Sequence, residues 1–207
     1  MEALFLFDFG SPNAYFAHRL IPGIEARTGA RFRYVPVLLG GLFKLSNNQA
    51  PMVAFAGVPN KIAYERRQME RFISQHNMSA FRINTHFPVN TLLLMRCAVA
   101  AQEADVFEGY VETVFRYMWE EPRKLDDPAI FITMLDEAGL PVEQLTRLAR
   151  EQSVKDRLAA NTQSAFDHGA FGLPSFLIGG ELYFGKDRLG DIEQVLMLEA
   201  ACRRAAE

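Results

Sequence analysis

The sequence predicts an α/β fold, a small β core interrupted by an all-helical insertion, and three observations carry that prediction. An apolar run, Leu4 to Phe9, turns through Gly10 into a helical pattern and then a second strand. From Gly40 to about Gly169 the spacing is helical, with few β-branched runs and repeated Pro, Gly and Asn breaks. A Gly179-Gly180 pair then separates two short apolar segments, as a two-residue hairpin requires. The 207 residues suffice to bury a large core without disulfide staples, and a formal charge of −3 without long single-sign runs argues against a dedicated nucleic-acid binder.

The elements follow in order. Pro12 to Thr28 carries apolar residues at Tyr15, Phe16, Leu20, Ile21 and Ile24, which predicts a helix with one buried face, bent or broken at Pro22 and ended by Gly29. Phe32 to Val37 is the second strand, weakened only at its end by Pro36. A helix of crossover length before it makes the two strands parallel. The insertion holds predicted helices over 60–75, 90–103, 106–118, 127–137, 142–149 and 154–168, the fourth opened by a capping Asp127 before Pro128. Ser175 to Ile178 and Leu182 to Phe184 form the hairpin, and Asp187 opens the last helix. The order βαβ, helices, ββα is a thioredoxin-like core, residues 1–39 and 170–207, with a helical domain, residues 40–169, set into it.

Ser11 lies where the first strand enters its helix. The N–H groups of a first helical turn lack intrahelical partners and the macrodipole puts about half a positive charge there, so the turn suits a thiolate or phosphate. Where thioredoxin-like redox proteins carry Cys-x-x-Cys, this chain reads Ser11-Pro12-Asn13-Ala14, so no disulfide forms in the turn and any sulfur it serves comes from elsewhere. Taken alone, Ser11 is more simply a plain N-cap. The two cysteines, Cys97 and Cys202, sit far apart in helical contexts, Cys97 as a small buried hydrophobe. His18, His76, His86 and His168 are scattered without metal-ligand spacing, so no metal is expected. No segment approaches the ~20 apolar residues of a membrane span and no signal peptide is read at the start, so the expectation is a cytoplasmic protein acting on small molecules.

Ordered blocks along essentially the whole chain extend this. They are Phe7-Asp8-Phe9-Gly10-Ser11-Pro12 with Tyr15-Phe16, Pro36-Val37-Leu38-Leu39-Gly40-Gly41 with Lys44, Asn48 with Pro51, and Lys61 with Tyr64. Phe87-Pro88-Val89-Asn90 with Arg96, Gly172-Leu173-Pro174-Ser175-Phe176, and Phe184-Gly185-Lys186-Asp187-Arg188-Leu189 complete them. With these the chain resembles the 2-hydroxychromene-2-carboxylate isomerases, relatives of the kappa-class glutathione transferases. It departs from them at Asn47, where the family commonly has Gly, at Trp119-Glu120, where the family has Gly near the tryptophan, and at Glu65-Arg66-Arg67.

The resemblance implies glutathione as cofactor, a homodimer, and a small aromatic substrate. It implies that Ser11 hydrogen-bonds the glutathione sulfur and that the backbone of Leu173, before a Pro174 whose peptide bond is plausibly cis, pairs with the tripeptide. Asp187 and Arg188 would hold its γ-glutamyl end, although Asp187 also reads as an N-cap, and Lys61 would meet a carboxylate, although an isolated Lys is as readily solvated surface. Lys44 and Asn48 would contact the substrate, with Phe87, Phe16 and Phe43 as aromatic walls. The implied reaction is isomerisation of 2-hydroxychromene-2-carboxylate and trans-o-hydroxybenzylidenepyruvate by reversible thiolate addition. A kappa-type transferase or peroxidase and a non-catalytic thioredoxin-like binding module are the alternatives.

Overall fold

β1 (Ala3–Phe7) is covered on both faces, which is why it reads as an unbroken apolar run: Ala3, Phe5 and Phe7 enter one hydrophobic cluster, Leu4 and Leu6 another. The computed structural model describes residues 2–206, with side chains through residue 202. β2 (Phe32–Pro36) pairs parallel with β1, with Leu4 opposite Arg33. β3 (Ser175–Ile178) pairs antiparallel on its other side, with Phe5 opposite Phe176, and β4 (Glu181–Phe184) closes a hairpin through Gly179-Gly180. The sheet order is β2-β1-β3-β4, the mixed sheet of a thioredoxin-like core, as the order of elements predicts.

The strand stops at Phe7 rather than Phe9. Asp8 folds its carboxylate back to accept the Gly10 N–H at 2.8 Å while its carbonyl accepts the Ser11 N–H at 3.1 Å, so the backbone turns where the apolar pattern continues. α1 (Pro12–Thr28) follows, capped by Ser11, with Gly29 at φ 72 donating its N–H to the Glu25 carbonyl. The expected break at Pro22 is absent. Pro22 faces solvent, where the carbonyl it frees can meet water, while neighbouring Ile21 and Ile24 are buried and hold the helix through the missing bond.

The helices between the two halves of the sheet are α2 (Leu39–Leu45), α3 (Pro51–Ala54), α4 (Pro59–Gln75), α5 (Leu92–Glu103), α6 (Phe107–Trp119), α7 (Pro128–Glu137), α8 (Val142–Leu148) and α9 (Gln152–Asp167). A 3-10 turn, Lys186–Arg188, leads into α10 (Leu189–Ala206), so the last helix begins just after Asp187 rather than at it. α5 is apolar nearly all round because it is buried nearly all round, and burial pushes its Cys97 thiol up to about 12. α2 and α3 were not anticipated as separate helices. α2 contains Gly40 and Gly41, poor helix formers, but a Cβ at Gly41 would lie 3.2 Å from Thr162 Cγ2, so the glycine permits close approach to α9. Among the described residues no helix is long and apolar enough to cross a membrane.

Candidate functional site

The C-terminal end of β1, the start of α1 and the segment before β3 converge at Ser11. Its buried Oγ donates to the Leu173 carbonyl at 2.8 Å and accepts the Ala14 N–H at 3.2 Å. Ser11 is therefore the N-cap the sequence allows and also a long-range contact, joining α1 to a residue far along the chain. The Leu173–Pro174 peptide bond is cis, and the Pro174 carbonyl accepts the Gly185 N–H at 2.9 Å, which brings the 3-10 turn to the same end of the sheet. Ser175, behind them, is buried and donates to the Gly172 carbonyl.

Two donors at this end have no partner among the described residues: the backbone N–H of Asn13 in the first turn of α1 and that of Leu173. Pro12 has no N–H to satisfy. This end of the sheet therefore offers a strand-edge amide, a hydroxyl and an unsatisfied helix start, a set of groups suited to an extended peptide or an anion. Neither cysteine of the chain is placed to supply a sulfur here: Cys97 is buried against the Leu145 carbonyl, and Cys202 is exposed in α10.

Asp187 and Arg188 stand on the 3-10 turn with most of their side chains exposed. Asp187 is not a cap; its Oδ1 receives the Lys186 ammonium at 2.5 Å, leaving the second oxygen open, while Arg188 pairs with Asp191 at 2.9 Å. Lys186 is itself buried, with its ammonium over the Phe72 ring of α4 at 4.1 Å. A charge so placed needs both partners, and it ties α4 to the turn.

The remaining sequence-selected residues are dispersed on the helical side. Asn48 reaches the site through its Nδ2, which donates to the Phe171 carbonyl at 2.8 Å, two residues before Leu173. Asn47 adopts φ 51, so where the family commonly places Gly this chain keeps the left-handed turn with the side chain that best tolerates it. Lys44 is exposed and makes no hydrogen bond or ion pair among the described residues. Lys61 lies on α4, paired with Glu65 at 2.8 Å and over the Phe55 ring, so in this arrangement it is engaged locally. Phe87 is 45% exposed, with its ring 5.8 Å from that of Trp119, whose Nε1 donates to the Phe9 carbonyl at 2.8 Å. The Trp119 indole thus stands between Phe87 and the turn that carries Ser11. Phe16, by contrast, is fully buried among Tyr15, Phe72 and Phe81, so it is core and walls no open site; Phe43 is half-buried.

Sequence reasoning named Asp8 and Trp119 without giving either a role, and it passed over Thr91. Asp8 is a charged residue ending an apolar strand, and such a group must be buried with partners or turned to water, which was the available signal. Trp119 gave none, because its indole N–H finds its acceptor only in the folded chain. Tyr15 likewise donates to Glu120 at 2.8 Å; burial, then that carboxylate, raises its phenol well above the ordinary range.

Residues 4–197 match the family model described as DSBA-like thioredoxin domain. Glutathione S-transferase kappa 1 of Rattus norvegicus is 26% identical over 196 residues, covering 88% of this chain and 85% of that protein. 2-Hydroxychromene-2-carboxylate isomerase of Sphingobium xenophagum is 24% identical over 198 residues, covering 93% and 96%. A solved structure of a 2-hydroxychromene-2-carboxylate isomerase superposes with a TM-score of 0.81 at 21% identity, over 100% of this chain and 98% of that one. The fold and the resemblance read from the sequence blocks are borne out.

Proposed function

Because the chain belongs to the DSBA-like thioredoxin domain family, we propose that it is a glutathione-dependent isomerase interconverting 2-hydroxychromene-2-carboxylate and trans-o-hydroxybenzylidenepyruvate, or a related aromatic pyruvate. The observation that carries this reading is the Ser11 hydroxyl, 2.8 Å from the Leu173 carbonyl at a helix start whose turn holds no thiol of its own. When bound, glutathione would supply a thiolate whose addition turns the C=C of the conjugated enone into a rotatable single bond and whose expulsion re-forms it.

The protein's part is binding and electrostatics. Ser11 turns its hydroxyl from the Leu173 carbonyl to the sulfur, and the first turn of α1 adds its dipole; lowering a thiol pKa by ~2 units needs about 2.7 kcal/mol, within reach of those two together. The Leu173 N–H and carbonyl pair with the cysteinyl unit as a strand edge does. Pro174 ends that edge, the free oxygen of Asp187 takes the γ-glutamyl ammonium, Arg188 its carboxylate, and Lys61 leaves Glu65 for the glycyl carboxylate. Lys44 and Asn48 hold the carboxylate or phenol oxygen of the substrate, whose ring lies against Phe87. In this reading residues 1–39 and 170–207 bind the tripeptide and residues 40–169 cover the substrate, in a cytoplasmic homodimer.

The relation to a kappa transferase favours a second reading, in which the same thiolate attacks an electrophile that leaves as a conjugate or is reduced. An ultraviolet assay of trans-o-hydroxybenzylidenepyruvate with catalytic glutathione, free thiol being counted in parallel, separates them. The isomerase reading expects approach to the chromene equilibrium with thiol conserved. Thiol loss with a model electrophile or peroxide, and no isomerisation, would replace it by the transferase; inertness in both would leave a binding module.

A further inference from the structure

The Ser11 turn is held by a carboxyl group that the proposed chemistry does not use. Asp8 has no exposed surface. Its Oδ1 accepts the Gly10 N–H at 2.8 Å; its Oδ2 accepts the Leu39 N–H at 2.8 Å and the Thr91 hydroxyl at 3.0 Å. Each donor belongs to a different segment: Gly10 to the turn before α1, Leu39 to the first residue of α2, and Thr91 to the N-cap of α5. Neither helix is capped by its own N-cap side chain, since Leu38 has none to offer and the Thr91 hydroxyl is turned to Asp8. Packing is equally close, because a Cβ on Gly10 would lie 3.2 Å from Thr91 Cγ2 and 3.3 Å from Asp8 Oδ1. No cationic side chain pairs with Asp8 among the described residues, and burial raises its pKa against the pull of the three donors.

A carboxyl buried only to stabilise a core is poorly chosen, since an apolar side chain there avoids desolvation. Directional bonds to three segments that meet at one turn serve orientation instead. Resting on the reading that Ser11 meets the glutathione sulfur, we propose that Asp8 is a positioning residue, which fixes the Gly10-Ser11 peptide against α2 and α5 and so aims the Ser11 hydroxyl at the place the sulfur occupies.

Asp8→Asn keeps the volume but sets an NH2 against either the Gly10 or the Leu39 N–H, and Thr91→Val removes one bond at nearly constant shape. Two readouts apply to the whole protein: amide exchange at Gly10, Ser11 and Leu39, and the pH midpoint of thiolate absorbance with glutathione added. We expect exchange about tenfold faster at whichever of Gly10 and Leu39 faces the NH2 and a midpoint about one pH unit higher in Asp8→Asn, with part of both changes in Thr91→Val. Faster exchange with an unmoved midpoint would overturn the positioning role, and unaltered exchange in both variants would overturn the clamp itself. Wild-type protein that binds no glutathione would sink the proposed function, and the exchange rates at Ser11 and Gly10 would still decide whether Asp8 orders the turn. Should Asp8→Asn fail to fold, Thr91→Val alone decides, with unchanged exchange and midpoint counting against the inference.

Discussion

The β1–α1 turn and the α3–α4 arm differ in how their side chains are satisfied. At the turn, Asp8, Ser11, Thr91 and Ser175 are all buried, and each makes a hydrogen bond; those of Asp8, Ser11 and Thr91 reach partners distant in sequence. In the arm no residue of α3 or α4 is buried, Met52, Val53, Val58 and Tyr64 stand exposed, and Lys61 is held by its own neighbours Glu65 and Phe55. The half of the site proposed to handle the sulfur is thus built by contacts across the fold, whereas the arm holds its outer side chains by local contacts. Substitutions at the turn should fall on chemistry and stability together or separately according to which bond is cut, whereas substitutions at the exposed residues of the arm, away from Phe72, should leave stability alone.

The largest effect is expected at Ser11. Ser11→Ala should lower isomerase kcat by about 10²–10³-fold, as loss of an oriented donor does, while costing only about 1 kcal/mol of stability as a lost cap. Steady-state kinetics beside denaturant unfolding separate the two; a stability loss without an activity loss would return Ser11 to a plain N-cap. Trp119→Phe keeps the ring against Phe81 and Phe87 but leaves the buried Phe9 carbonyl without its donor, for an expected cost of about 1–3 kcal/mol in unfolding free energy. An unchanged unfolding midpoint would show that the turn does not depend on that bond.

The arm makes the contrast. Met52→Ser and Val53→Ser should each change stability by less than about 0.5 kcal/mol, because most of each side chain stays in water on folding. A marked loss of stability would mean that this surface is covered in the working protein.

Much of the fold was legible because it rests on local pattern. The apolar runs of β1 and β2, the Gly179-Gly180 hairpin, the Gly29 stop and the Asp127 cap depend on residues adjacent in sequence, and they stand where expected except that β1 ends two residues early. What was not legible depends on contacts across the chain. Pro22 stays helical because Ile21 and Ile24 are packed, α2 survives its glycines because Gly41 meets Thr162, and Phe16 faces Phe72 and Phe81 rather than a pocket. The same holds at the site. The strand-turn-helix around Ser11 announced itself, but the Asp8 carboxylate joining Gly10, Leu39 and Thr91 spans segments that no local pattern relates.

Another small effect lies where α6 meets the outer face of α1. Glu112 is held below the ordinary carboxylate range, first by its hydrogen bond from His18 and then by charge from His18 and Arg19. Its folded pKa being lowered, the pairing stabilises above the unfolded value of 4.5 and is lost as pH falls through the lower folded value. At 54% side-chain exposure the gain is that of a surface pair, about 0.2–1 kcal/mol. Urea midpoints of wild type and Glu112→Gln should therefore converge on acidification; a gap that persists in acid would assign the effect to packing.

The most direct test of a turn built to hold a sulfur the protein does not own is the pH titration of thiolate absorbance for glutathione bound to wild type and to Ser11→Ala. The account predicts a midpoint about two units below that of free glutathione in the wild type, and one returned most of the way to the free value in Ser11→Ala. A bound thiol that titrates as in free solution, or a midpoint indifferent to the loss of the Ser11 hydroxyl, would contradict it.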